Sequence, residues 1–154
     1  MEIKNIKIEE PIENSDLNVM GLIDILIEYD DGSIYIYDIK TIGTWSWNYK
    51  FKPKYKDKAE PSLHHELQLA TYGLSVIKEY DRLDGMKLVY YHKDTSDMIE
   101  IDVPMHMLVT AKTYWESIIE LHKDGFPPLM EGVSPVAKWE CRYCSYKNLC
   151  EETQ

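Results

Sequence analysis

Apolar residues alternate loosely over 2–9 (Ile3, Ile6, Ile8) and then meet Pro11, a pattern that predicts a short strand ending in a turn. Two denser runs, 19–29 and 33–41, are rich in Ile, Leu and Tyr and flank Asp30-Asp31-Gly32, so they predict the two strands of a hairpin. The period then lengthens. Pro61 and Ser62 offer a helix start, and Leu63, Leu67, Ala70, Leu74 and Ile77 recur at helical spacing to about Tyr80. Segments 86–91 and 98–103 return to strand patterning around a polar turn, and a helix is expected from about Met105 to Lys123, closed by Gly125, Pro127 and Pro128. The order is strand, hairpin, helix, hairpin, helix and a Cys-rich tail, which implies an α/β domain with a mixed sheet and helices on its faces.

A length of 154 residues suits one domain, and an apolar fraction of 44% with twelve tyrosines and four tryptophans supports a real core. No apolar run approaches the roughly 20 residues that span a bilayer, and the first residues lack the order of a signal peptide, so a cytoplasmic protein with no membrane partner is expected. The net charge of −10 argues against non-specific polyanion binding. Mapping the charge weakens that objection. From 45 to 58 five lysines meet one aspartate, so this stretch carries +4 and the remainder −14. Within it Trp45, Trp47, Tyr49, Lys50, Lys52 and Lys54 interleave rings with amines in a surface loop after the second hairpin strand, a composition suited to stacking on bases and tracking phosphates.

The hairpin turn decides whether the chain has an active site. If Asp30-Asp31-Gly32 is a three-residue loop with Gly32 in the left-handed position, Tyr29 pairs with Ser33 and Asp24 sits opposite Asp38. The two carboxylates then share a face, with Cβ atoms roughly 5 Å apart, and Lys40 joins them because side chains alternate. A two-residue loop would send the acids to opposite faces. Facing carboxylates among Leu22, Leu26, Ile34 and Ile36 need a cation, and oxygen donors suit a hard divalent one. By itself D-x-K is a weak pattern, equally compatible with solvated strand ends.

Three segments in order carry more: Gly21-Leu22-Ile23-Asp24, Tyr37-Asp38-Ile39-Lys40-Thr41 and Gln68-Leu69-Ala70-Thr71-Tyr72. They resemble the G-x-x-D, D-x-K and Q-x-x-x-Y series of the PD-(D/E)XK nucleases, in their RecB-like branch. The resemblance implies a restriction-endonuclease-like fold and hydrolysis of DNA phosphodiester bonds, on single strands or duplex ends, with Mg²⁺ or Mn²⁺. It implies that Asp24, Asp38 and the backbone carbonyl of Ile39 hold the metal while Lys40 assists the attacking water. Gln68 would bond a phosphate or a metal-bound water and Tyr72 would stack on a base or back the site, both on a helix stripe shared with His65. His64 and His65 themselves read as solvated surface.

The end of the chain places Cys141, Cys144 and Cys150 at C-x₂-C-x₅-C, close enough to converge on one centre, where zinc or iron–sulfur sites normally take four ligands. This tail, 139–150, resembles the cluster motif of CRISPR-associated RecB-like exonucleases and of the AddB nuclease domain. That implies a structural [4Fe–4S] cluster, with zinc as the alternative, and partners in recombination, phage or CRISPR adaptation, in a prokaryotic or phage-infected cell. The family's fourth cysteine, N-terminal helix and motif histidine are not found before the first core strand, which is expected almost at once in a single domain over 1–154. Two rival readings stay open: a catalytically weak nucleic-acid-binding or assembly module on the same fold, and a zinc-stabilised interaction domain.

Overall fold

The computed structural model describes residues 1–55, 63–121, 123, 144, 145 and 148. Five strands, β1 (Ile3–Asn14), β2 (Val19–Tyr29), β3 (Ile34–Ile42), β4 (Gly85–His92) and β5 (Met98–Val103), form one sheet in sequence order. Only β3 and β4 run parallel, joined through the helices α1 (Thr44–Phe51) and α2 (Leu63–Tyr80) and a short 3₁₀ turn, Pro53–Tyr55. Helix α3 (Met107–Leu121) follows β5. No helix among the described residues is long and apolar enough to cross a membrane.

One face of the sheet carries the core. Ile34 and Ile36 of β3 and Met86, Leu88 and Tyr90 of β4 are buried at alternate positions beneath Leu69, Ala70 and Val76 of α2. Helix α2 touches all five strands, while α3 packs on α2. The described residues thus form the mixed sheet flanked by helices that the sequence implies, with α3 layered on α2. Helix α2 is buried more widely than a five-residue stripe implies. Leu69, Thr71, Gly73, Ser75 and Val76 are buried as well. Trp115 of α3 donates its indole N–H to the Thr71 hydroxyl at 2.9 Å, and that hydroxyl donates to the Leu67 carbonyl at 2.7 Å, which satisfies a polar group between the helices.

Two expectations change. The first strand does not stop at Pro11 but continues to Asn14, with Pro11 opposite Leu22. As β1 is an edge strand, a residue without an N–H is tolerated there. The aromatic and lysine-rich stretch is not a loop, because Trp47 and Phe51, four apart, turn their rings to the core as a helix requires.

Candidate active site

The turn between β2 and β3 is a three-residue loop, the alternative that puts both acids in one register. Gly32 has φ +77°, Tyr29 donates its N–H to the Ser33 carbonyl at 2.9 Å, and the register runs from Glu28–Ile34 to Ile25–Tyr37. Asp24 and Asp38 are the next pair in that register, but here the ladder stops. Hydrogen-bonded pairs alternate along antiparallel strands, so after Tyr29–Ser33 the Ile39 N–H would come to the Ile23 carbonyl. It donates instead to Oδ2 of Asp24, at 2.6 Å.

The two strands on that side of β3 are irregular at the same level. Ile23 and Leu26 are both buried although three residues apart, so the inward face of β2 changes parity between them. Across from Asp24, between the Ile8–Ile25 and Glu10–Ile23 pairs, Glu9 of β1 has φ +53°. A local irregularity of this kind re-aims side chains and ends pairing. It leaves the Asp24 carboxylate on the backbone of β3, beside a buried Asp38.

Asp38 is 4% exposed. Its carboxyl is pushed above the usual range chiefly by burial, with the Asp24 charge adding to the shift and Lys40 opposing it. Lys40 Nζ lies 2.7 Å from Asp38 Oδ2, yet no donor is aligned on that oxygen for a hydrogen bond. The contact is an ion pair without hydrogen-bond geometry.

Helix α2 holds the lysine from the other side. Lys40 donates to Gln68 Oε1 at 2.8 Å, and Gln68 Nε2 donates to the Tyr72 hydroxyl at 2.8 Å. Tyr72 in turn lies over Gly21. A Cβ at Gly21 would come within 2.8 Å of the Tyr72 ring, so the glycine admits the ring that backs the glutamine. Thus Asp24, Asp38, Lys40, Gln68 and Tyr72 come together, with Ile39 between the two acids.

The family model described as the PD-(D/E)XK nuclease superfamily matches residues 2–151. The chain belongs to that superfamily. Among curated proteins, the CRISPR-associated exonuclease Cas4 of Saccharolobus solfataricus is 27% identical over 132 residues, covering 86% of this chain and 52% of the relative. This chain therefore spans about half the length of that relative. Two solved structures share the fold: SSO0001, with TM-score 0.51, 22% identity and coverage of 97% of this chain and 62% of that one, and a putative exonuclease from Eubacterium rectale, with TM-score 0.52, 17% identity and coverage of 74% and 42%.

Divalent metals are general in PD-(D/E)XK nucleases, and the residues here fit one. The donors are oxygens, burial and then the Asp24 charge push the Asp38 carboxyl upward, and a buried oxygen of Asp38 lacks an aligned donor. Among the described residues no group of three His, Cys, Asp or Glu side chains converges. A bound cation would thus depend on two carboxylates, main chain and water, which suits an ion that keeps part of its hydration.

His65 corrects the reading of that helix face. It is half-buried, its Nδ1 lies 2.8 Å from the hydroxyl of buried Tyr90, and its pKa is pushed down to about 4 by burial, then by His64, Lys40 and Lys50. Spacing shared with Gln68 and Tyr72 was the available signal. The aromatic segment divides by face: Trp47 packs edge-on against His92 and Phe51, and Lys50 Nζ sits 4.7 Å from the Tyr90 ring centre, whereas Trp45, Lys52 and Lys54 are exposed. Cys144 is exposed; Cys141 and Cys150 lie outside the described residues, as do Pro61, Ser62, Gly125, Pro127 and Pro128.

Proposed function

We propose that this chain is a metal-dependent DNA nuclease, acting as an exonuclease on single strands or duplex ends. The observation that carries the reading is the convergence of Asp24, Asp38 and Lys40 where the β2–β3 ladder ends, with Lys40 braced by Gln68. Asp24, Asp38 and the Ile39 carbonyl hold Mg²⁺ or Mn²⁺. When bound, such an ion supplies positive charge to a phosphodiester and lowers the pKa of water.

The chain's own residues do the rest. The Ile39 N–H fixes one oxygen of Asp24, so the carboxylate is oriented before a ligand arrives. Gln68 and Asp38 hold the Lys40 ammonium at the mouth of the site, where it orients water and offsets charge developing on the phosphate. Tyr72 keeps Gln68 in place. The family and the relative's name, CRISPR-associated exonuclease, support DNA as the proposed substrate, and with it goes a proposed setting in CRISPR adaptation, recombination or phage biology in a prokaryotic cytoplasm. Cys141, Cys144 and Cys150 are proposed to carry a structural [4Fe–4S] cluster, with zinc as the alternative; iron content and visible absorption of freshly purified protein separate the two.

End-labelled single- and double-stranded DNA incubated with Mg²⁺, Mn²⁺ or EDTA tests the central reading. Cleavage is expected with either metal, none in EDTA, and none from Lys40→Ala although that variant still binds DNA. Cleavage by Lys40→Ala at the parent rate, or cleavage that survives EDTA, overturns it.

A further inference from the structure

We infer that Trp45, backed by Tyr49, is a stacking platform for an unpaired nucleobase, and that it gives the neighbouring acid–lysine site a preference for single-stranded ends. This rests on the proposed nuclease reading and deepens it by naming the substrate class.

Helix α1 has only 8 residues, too few to be stable alone in water. One face is pinned at three points. Asp94 Oδ2 accepts the Thr44 N–H at 3.2 Å and also the Thr44 hydroxyl, which caps the first turn from the β4–β5 connection. Trp47 packs edge-on against His92, with ring centres 5.0 Å apart, and buried His92 is itself fixed because its Nδ1 accepts the N–H groups of Asp94 and Thr95. Phe51 meets the Tyr90 ring at 5.4 Å. Folding accounts for that face.

The indole of Trp45 stands outside those contacts. Trp45 is 77% exposed and lies parallel to Tyr49, with ring centres 5.4 Å apart and planes within 6°. A lone exposed ring needs no explanation. Here, however, an indole is stacked on one side by a tyrosine, held on an anchored helix, and followed just past the helix end by exposed Lys52. Rings beside amines are what a single strand requires: a π-face for the base and positive charge for the phosphates. The remainder of this acidic chain repels a polyanion, so the arm sets where a strand enters.

The position ties the platform to the chemistry. Tyr90, which carries Phe51 and Lys50, is the register partner of Lys40 and bonds His65 of α2. Helix α1 follows directly on β3, so Trp45 stands just past the end of the strand that carries Asp38 and Lys40. A base still paired in a blunt duplex has no free face to offer, so the platform discriminates against it.

Binding is read on the Lys40→Ala protein, where hydrolysis does not interfere, with a fluorescent oligothymidylate and a blunt duplex of equal length. Adding Trp45→Ala should weaken the single strand about tenfold or more, the range of one base–aromatic stack. Trp45→Phe should recover most of that loss, and blunt duplex affinity should stay level across all three proteins. Unchanged single-strand affinity in Trp45→Ala overturns the platform while leaving the nuclease reading intact, and so does an equal loss on both DNAs. If Lys40→Ala binds neither DNA, the platform falls together with the function it rests on. Melting temperatures of both Trp45 variants should match the Lys40→Ala parent, since the indole buries little.

Discussion

The two ends of the β2–β3 hairpin treat aspartate in opposite ways. At the turn, Asp31 accepts the hydroxyl and N–H of Ser33 at 2.6 and 2.9 Å, and Asp84 accepts two guanidinium contacts from Arg82 and the N–H of Ile34. Both carboxyls are held below their usual range, Asp31 first by Ser33 and Asp84 first by Arg82. At the open end Asp38 is pushed upward by burial, and the Asp24 charge adds to the push. The same side chain closes the structure at one end and is left electrostatically unsettled at the other. Protein donors satisfy the turn; the open end has chemistry that a further cation would settle.

The sharpest break in that comparison is Asp38→Asn. Losing a carboxylate proposed to hold the metal should lower cleavage by at least about a hundredfold in Mg²⁺ or Mn²⁺. The fold should not suffer, because the site disfavours the charge being removed. A melting temperature at or above the parent's is expected, and a marked fall would show that Asp38 serves the fold as the turn aspartates do.

Next in size is Gly21→Ala. The added methyl would sit 2.8 Å from the Tyr72 ring, so the ring must move, and with it Gln68 and Lys40. Cleavage should drop roughly tenfold to a hundredfold, as small displacements at a reacting centre do. Parent-level turnover in this variant would cut the chain of contacts from Gly21 to Lys40. Gly32→Ala, at the other end, should do the reverse. A left-handed backbone conformation at φ +77° costs an alanine about 1–2 kcal/mol, read from denaturant unfolding, with turnover per folded molecule unchanged.

These sites differ in how far they could be read beforehand. The register of Asp24 and Asp38 was legible because one glycine fixes a three-residue turn and the period-two alternation carries that choice along both strands. The parting of the strands at Asp24 was not. It goes with a side chain taking an N–H that the pattern assigns to the backbone, level with a positive φ at Glu9 of a third strand. Likewise the loop reading of 45–56 stopped at composition, whereas the four-residue spacings of Trp45 with Tyr49 and Trp47 with Phe51 sort the rings onto two helix faces. The cap that makes this short helix stand, Asp94 on Thr44, is 50 residues away and has no local signature.

The smallest effect separates the open end from ordinary surface. His65, half-buried between Tyr90 and the lysines, has its pKa pushed down to about 4, against about 6.5 in an unfolded chain. Between those values the unfolded chain binds the proton that the folded one refuses. Stability from this group is therefore fully present above pH 6.5 and is lost as pH falls toward 4. A fully buried ring would lose about 3 kcal/mol over that window, and half-burial with solvent screening reduces it to about 1 kcal/mol. Urea midpoints of the parent and His65→Gln, measured between pH 7.5 and 4, should diverge on that scale: the parent declines more steeply, because protonating His65 places another positive charge near Lys40 and Lys50, while glutamine keeps an acceptor for Tyr90 and takes up no proton. Parallel curves would mean that His65 is solvated in the folded protein and contributes nothing to the electrostatics beside Lys40.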